Sequence, residues 1–226
     1  MSTADRLRWF ARGFGQLLIT AGVVVLLFCV YELKVTDAYA DAQQDKLEDN
    51  LTKQWTAPAG PQGPAVPTTA LGKAFARIYF PTLGKDQVRV VVEGVGVEDL
   101  KKGPGHYPGT ALPGQLGNLV ISGHRTTYGA PFRRLDDLDG GDAIVVETRT
   151  AYFTYTVRRV FPVSPRTVQV TYPVPYHRDA VPRERLLTLT TCHPPYSAKE
   201  RLIVQAVMSS TVAKAPGVVP PALQGR

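Results

Sequence analysis

Residues 14–33 form an apolar run of about 20 residues whose one charge, Glu32, stands near its far end. That is the length an α-helix needs to cross a hydrocarbon core of about 30 Å. Lipid offers no partner for a backbone N–H or C=O, so a single spanning segment must be helical. Arg6, Arg8 and Arg12 outweigh Asp5 before the run, and Glu32, Lys34, Asp37 and Asp41 follow it. The positive-inside bias predicts a cytoplasmic N-terminus at 1–13, one pass through membrane lipid at 14–33, and everything later outside the cytoplasm. A cleaved export signal is the rival reading. The apolar core is long for one, and residues 35–40 offer an imperfect cleavage site.

The next segment, 36–55, has no proline or glycine and reads as a helix, with Leu47, Leu51 and Trp55 recurring every fourth residue. That narrow stripe either packs on a neighbour or is the apolar edge of a solvated stalk. Pro58, Pro61, Pro64 and Pro67 then fall at every third position, the repeat of a polyproline II spacer. Residues 34–70 are therefore a helical stalk and proline-rich linker, with a domain boundary near 70.

Beyond the linker the pattern changes to short β runs at 74–80, 88–93, 119–122, 143–148, 152–161, 186–191 and 202–209. Two short helices are predicted at 97–102 and at 131–138, the second with Pro131 in its first position. The 19 prolines and 20 glycines suit a turn-rich domain. The fold expected is all-β, a closed or nearly closed seven- or eight-stranded barrel over 71–211, with a flexible tail at 212–226. A hydrophobic content of 44% fits one packed domain with appendages. The formal charge of +7 comes with no Lys/Arg stripe interleaved with aromatics, which argues against nucleic acid as a partner.

The chain has two cysteines. Cys29 lies inside the apolar run, so Cys192 is the thiol expected outside the membrane, and the two cannot pair within one chain. A lone thiol in an exported domain is a liability unless its reactivity is used. Cys192 therefore reads first as a nucleophile, and a thiol needs a nearby base or a favoured thiolate. His193 adjoins it, but neighbours on a strand point to opposite faces. His106 and His177 sit in Gly/Pro-rich loops and read as packing or surface residues. His124 instead ends an apolar strand after Gly123, a rigid place for acid/base work. Arg201 opens the strand after Cys192 and can supply fixed positive charge to an oxyanion.

TLTTC at 188–192, SGHR at 122–125 and the downstream Arg201 together resemble the sortases, cysteine transpeptidases of Gram-positive cell surfaces. The resemblance covers about 71–211. TLTTCHP (188–194), GHYPGTALPGQ (105–115) and GHRTTYGAPF (123–132) look most like class E sortases of actinobacteria, with class D the nearest alternative. The resemblance implies that Cys192 attacks the Thr–Gly bond of a C-terminal sorting signal to form a thioacyl-enzyme. His124 would then handle the protons and Arg201 the oxyanion. The acceptor would be an amine of a peptidoglycan precursor, and the partners surface proteins bearing LAxTG- or LPxTG-like signals. Thr190 and Thr191 are expected to line the groove beside the thiol, and Tyr107 and Tyr128 to touch the signal. The resemblance requires no cofactor.

The acidic run 136–142 lacks EF-hand spacing and reads as a turn, so no metal is expected there. The excursion 162–185, with Pro165, Pro173, Pro175 and Pro182, corresponds to the segment that shapes sortase specificity and should be an ordered wall. Two other functions compete: a cysteine enzyme acting directly on peptidoglycan cross-links, whose SHGC-type setting is missing, and a non-catalytic membrane-tethered β-barrel binding module.

Overall fold

The computed structural model describes residues 3–57, 70–84 and 86–224. The polyproline spacer expected at 58–69 lies outside the described residues. The apolar run and the stalk form one unbroken helix, α1 (Thr3–Thr56, 54 residues). From Phe10 to Tyr31 its large apolar side chains are exposed on every side, as on a helix whose solvent is lipid. It is long and apolar enough to cross a membrane.

Eight strands follow: β1 (Ala74–Tyr79), β2 (Val88–Glu93), β3 (Gly105–His106), β4 (Gly117–Ser122), β5 (Ala143–Glu147), β6 (Ala151–Val163), β7 (Arg185–His193) and β8 (Glu200–Ala213). They close a barrel in the order β1-β2-β3-β4-β7-β8-β6-β5. Two joins are parallel, β2 to β3 and β4 to β7; the others are antiparallel. All seven expected strands are present. The eighth, β3, is two residues long, too short for an alternation to register in sequence.

The helix expected at 97–102 is α2 (Val97–Leu100). The one expected at 131–138 is instead a run of turns ending in a 3-10 turn, Leu135–Asp137. Its backbone bonds reach back three residues, from Arg133 N to the Ala130 carbonyl, Leu135 N to Phe132 and Asp137 N to Arg134, and the Arg134 side chain is held by Asp137 and the Leu83 carbonyl. At the other end, strand pairing continues to Ala213, where a tail was expected from 212. Lys214 then turns back onto Glu147, and the chain closes with a 3-10 turn at Pro221–Leu223.

The barrel is filled by alternate residues of its strands, among them Ile78, Val91, Leu119, Ile121, Val146, Tyr155, Leu187, Leu189 and Val204. A second, smaller apolar cluster decides the question the stalk left open. Leu47 and Leu51 bury themselves against Ala74, Val90 and Val92, with Trp55 packed on the edge. Polar contacts reinforce this seam. The Gln44 side-chain amide accepts from Val90 N (2.8 Å) and donates to the carbonyls of Val90 and Lys102. Arg77 pairs with Glu48 of the stalk and with Glu147 of the barrel. Trp55 lies against both Arg77 and Lys214, the two cations 4.5 and 4.1 Å from its ring centre.

Glu147 is the hub of that network, 4% exposed as a side chain and bonded by Lys214, Tyr79 and Arg77. Burial alone would raise its pKa, but the Lys214 and Tyr79 hydrogen bonds and the Arg77 charge outweigh it and hold the carboxyl below 4.5. The same carboxylate and burial push the Tyr79 phenol well above its ordinary range. Truncating Leu51, which is fully buried, should cost about 2–4 kcal/mol in Leu51→Ala, read from urea unfolding of the detergent-solubilised chain. Because the folded state lowers the pKa of Glu147, its stabilisation is complete above the unfolded value and lost as pH falls through the lower folded value. Glu147→Gln should therefore lower the unfolding midpoint at pH 7 and flatten its decline between about pH 5 and 3, whereas unchanged pH curves would exclude this network as the source.

Candidate active site

The three residues that sequence places in the site lie on three adjacent strands. Cys192 on β7 is the direct cross-strand partner of Arg201 on β8, a position in which Cβ atoms stand about 5 Å apart. β4 runs parallel to β7 with Ser122 opposite Thr190. Beyond that pair Gly123 N still donates to the Thr190 carbonyl, and the Thr191 hydroxyl to the Gly123 carbonyl at 2.8 Å. Carrying the register two residues further, from 122 to 124 and from 190 to 192, brings His124 opposite Cys192. Parallel strands lie about 4.8 Å apart.

The three side chains also share a face. Leu187, Leu189, Leu119, Ile121, Leu202 and Val204 point into the core. Alternation therefore turns Thr188, Thr190 and Cys192 outward, with Ser122 and His124 on one flank and Arg201 and Ile203 on the other. On this register His124, Cys192 and Arg201 fall in a row across the strands, on the outer wall at the end where β4 and β7 finish.

His124 is half-buried, and burial lowers its pKa from 6.5, favouring the neutral imidazole. Tyr128 packs its ring against the imidazole, centroids 5.1 Å apart. It does so from a left-handed backbone conformation, φ 52°. A Cβ on Gly123 would stand 2.7 Å from the Phe132 ring; glycine is required before His124 for close packing. Arg201 Nη1 donates to the carbonyls of Ala198 and Glu200. That fixes the guanidinium and leaves Nε and Nη2 to meet a substrate.

Two expected groove residues sit elsewhere. Thr191 is turned to the opposite face from Cys192, 2% exposed, its hydroxyl committed to Gly123; it locks β7 to β4 and does not line the groove. Tyr107 donates its backbone N–H to Val120, alongside mid-β4, about four residues or 13 Å up the strand from His124. Thr190 does lie on the Cys192 face. His106 is no surface residue: it is 1% exposed, with Nδ1 at 2.7 Å from Glu93 and Nε2 at 2.8 Å from the Thr110 hydroxyl. The acidic run is already engaged, Asp136 by Arg125, Asp137 by Arg134, and Asp142 by Thr82 and the Asp139 N–H.

Sequence reasoning missed two supports. Asn118 begins an apolar strand, and an amide there is the available signal. It donates to the carbonyls of Val170 and Tyr172 and accepts from Thr188, pinning the 164–184 connection over the outer face. Between that connection and the sheet lies a cavity of about 200 Å³, lined by Val174, Pro175, Leu186, Thr188, Arg159 and Gln205 among others. It continues the same face away from the thiol. Arg125, directly after His124, is 2% exposed and lies 2.7 Å from Asp136; nothing in its local sequence marks it as buried.

The description "Sortase domain" matches residues 78–209. Sortase SrtE1 of Streptomyces coelicolor is 38% identical over 206 residues, covering 88% of this chain; the chain spans 57% of that relative's length. The solved sortase E of Streptomyces avermitilis superposes with a TM-score of 0.62 at 42% identity, covering 69% of this chain and 99% of that one. Sortase E1 of Streptomyces coelicolor, solved with a tripeptide in its active site, gives 0.61 at 37% identity, covering 68% and 99%. The family match spans most of the barrel, and the chain belongs to the sortase family, with the class E sortases among its relatives.

Proposed function

We propose that this protein is a membrane-anchored cysteine transpeptidase acting on C-terminal sorting signals. The reading is supported by Cys192 standing across from Arg201 and by β4 and β7 finishing side by side, with His124 two residues past the end of β4. A neutral imidazole opposite a thiol can take its proton as the sulfur attacks the threonine carbonyl of a Thr–Gly bond. The resulting oxyanion finds the free N–H groups of Arg201. The imidazolium then gives its proton to the glycine nitrogen, the C–N bond breaks, and a thioester to Cys192 remains. An incoming amine loses its proton to His124, attacks the thioester and returns the thiol.

The acceptor, an amine of a peptidoglycan precursor, and the LAxTG-type signal rest on family membership and on the likeness to class E sortases. The tripeptide in the active site of sortase E1 supports a peptide as the substrate. Thr190 and Tyr128 flank the reacting bond in this reading, and Thr191 and Gly123 keep nucleophile and base in register. Helix α1 anchors the enzyme with its N-terminus in the cytoplasm and the barrel outside.

Cys192→Ala, His124→Ala and Arg201→Ala should each lower turnover of a fluorogenic LAxTG peptide by at least a hundredfold while leaving the unfolding midpoint near that of the parent. Mass spectrometry of the parent should find the acyl adduct on Cys192; an adduct elsewhere, or full turnover in His124→Ala, would overturn the assignment. The acid limb of kcat/KM should lie below pH 6.5, because burial lowers the His124 pKa and the neutral form is the active one. Tyr128→Ala, which opens the imidazole to water, should move that limb up towards 6.5.

A further inference from the structure

The stalk part of helix α1 touches the barrel at both of its ends, and the two contacts give the helix a direction relative to the site. At the near end, Asp37 Oδ1 accepts from Gly129 N at 2.9 Å, Ala40 is 2% exposed, and its Cβ lies within 3.4 Å of where a Cβ on Gly129 would stand. Gly129 belongs to the loop that follows His124 and carries Tyr128. At the far end, the Ala57 carbonyl accepts from the Arg149 guanidinium, and Trp55 lies against Lys214. Arg149 is in the turn between β5 and β6, and Lys214 directly follows β8. Strand β8 starts at the catalytic end with Glu200 and Arg201 and finishes at the far end with Ala213. Stalk and β8 thus run the same way, and the catalytic end is the one nearest the apolar run.

The helix is unbroken between the two regions, so the distance follows from its rise. Asp37 stands four residues past Leu33, about 6 Å at 1.5 Å per residue, and Ala57 about 30 Å further along the axis. The headgroup layer on each side of a bilayer is about 5–7 Å thick. On the reading above, in which residues 14–33 cross the membrane, the loop bearing Tyr128 lies at the height of the headgroups and the turn at 149–150 lies far from them. The rim at that end has matching chemistry. The connection from β7 to β8 presents Tyr196, 86% exposed, and the exposed Lys199, an aromatic and a cation of the kind that settle at a membrane–water interface.

We infer that the docked stalk seats the barrel with its catalytic rim on the bilayer surface, so that the partner of this rim is a layer of lipid headgroups. The cleft then meets peptide just outside a membrane-inserted segment, and a substrate free in solution must reach it sideways. The Gln44, Leu51 and Glu48–Arg77 contacts act as positioning devices, because they lock barrel to post.

The full chain is reconstituted in phosphatidylcholine vesicles carrying a headgroup-labelled acceptor lipid, with a fluorescent noncanonical residue at position 196 or at position 150. Energy transfer from 196 should exceed that from 150 several-fold; equal transfer, or the reverse order, overturns the seating. Inserting seven residues after Lys34 adds two turns, about 10 Å, and nearly preserves the helical phase. Transfer from 196 should then fall. Turnover of a peptide tethered to a synthetic transmembrane helix should drop at least tenfold, with turnover of the soluble peptide unchanged. Unchanged turnover of the tethered peptide also counts against the seating. If the parent turns over neither peptide, the transpeptidase reading fails while the transfer measurement still judges the seating. A chain that does not float with the vesicles ends the anchor reading and the seating together.

Discussion

The parallel ladder between β4 and β7 is the constraint on which the site depends. Parallel strands finish at the same end, so the residues just past Ser122 and just past Thr190 emerge side by side. An antiparallel join would have sent them to opposite ends of the barrel. Two side-chain bonds hold the ladder in register, Thr188 to Asn118 near its start and Thr191 to Gly123 at its finish. A slip of one residue would turn Cys192 into the core and Thr191 out to solvent. The antiparallel return of β8 then supplies Arg201 as the cross-strand neighbour of the thiol.

Parallel pairing requires a long connection, and the chain uses that length. Between β4 and β7 it builds β5 and β6 and the 164–184 excursion, and the excursion returns over the outer face to meet Asn118. The topology that brings His124, Cys192 and Arg201 to one end of the sheet thus also lays the excursion over its outer face. Burial of His124 beneath Tyr128 follows from the same end of the sheet: the loop that leaves β4 must turn sharply, and it folds back so that Phe132 N bonds the His124 carbonyl.

The stalk adds a second layer of constraint. Its apolar stripe is narrow, so Leu47, Leu51 and Trp55 would hold it loosely by themselves. The buried carboxylate of Glu147, shared among Lys214, Tyr79 and Arg77, and the Arg77–Glu48 pair tie the helix to two barrel strands and to the end of a third. Removing one partner from a buried charge cluster costs more than the pair contributes, so such a network favours one docking geometry over neighbouring ones.

The apolar run, the seven longer strands and the chemical candidacy of Cys192, His124 and Arg201 were legible in the residues, because they depend on local periodicity and on side-chain chemistry. The two-residue β3, the turns at 131–138, the inward face of Thr191 and the buried Arg125 were not. Each depends on a partner outside its own local pattern: Ile121 for His106, the Leu83 carbonyl for Arg134 in the turns, Gly123 for Thr191, Asp136 for Arg125. Sequence alone thus determined which groups can do chemistry and which segment suits lipid. The tertiary structure decided that those groups share one face, that the stalk lies against the barrel, and which end of the barrel meets the helix where it leaves the apolar run. Strand register and helix docking are set by contacts between residues far apart along the chain, and no local pattern encodes them.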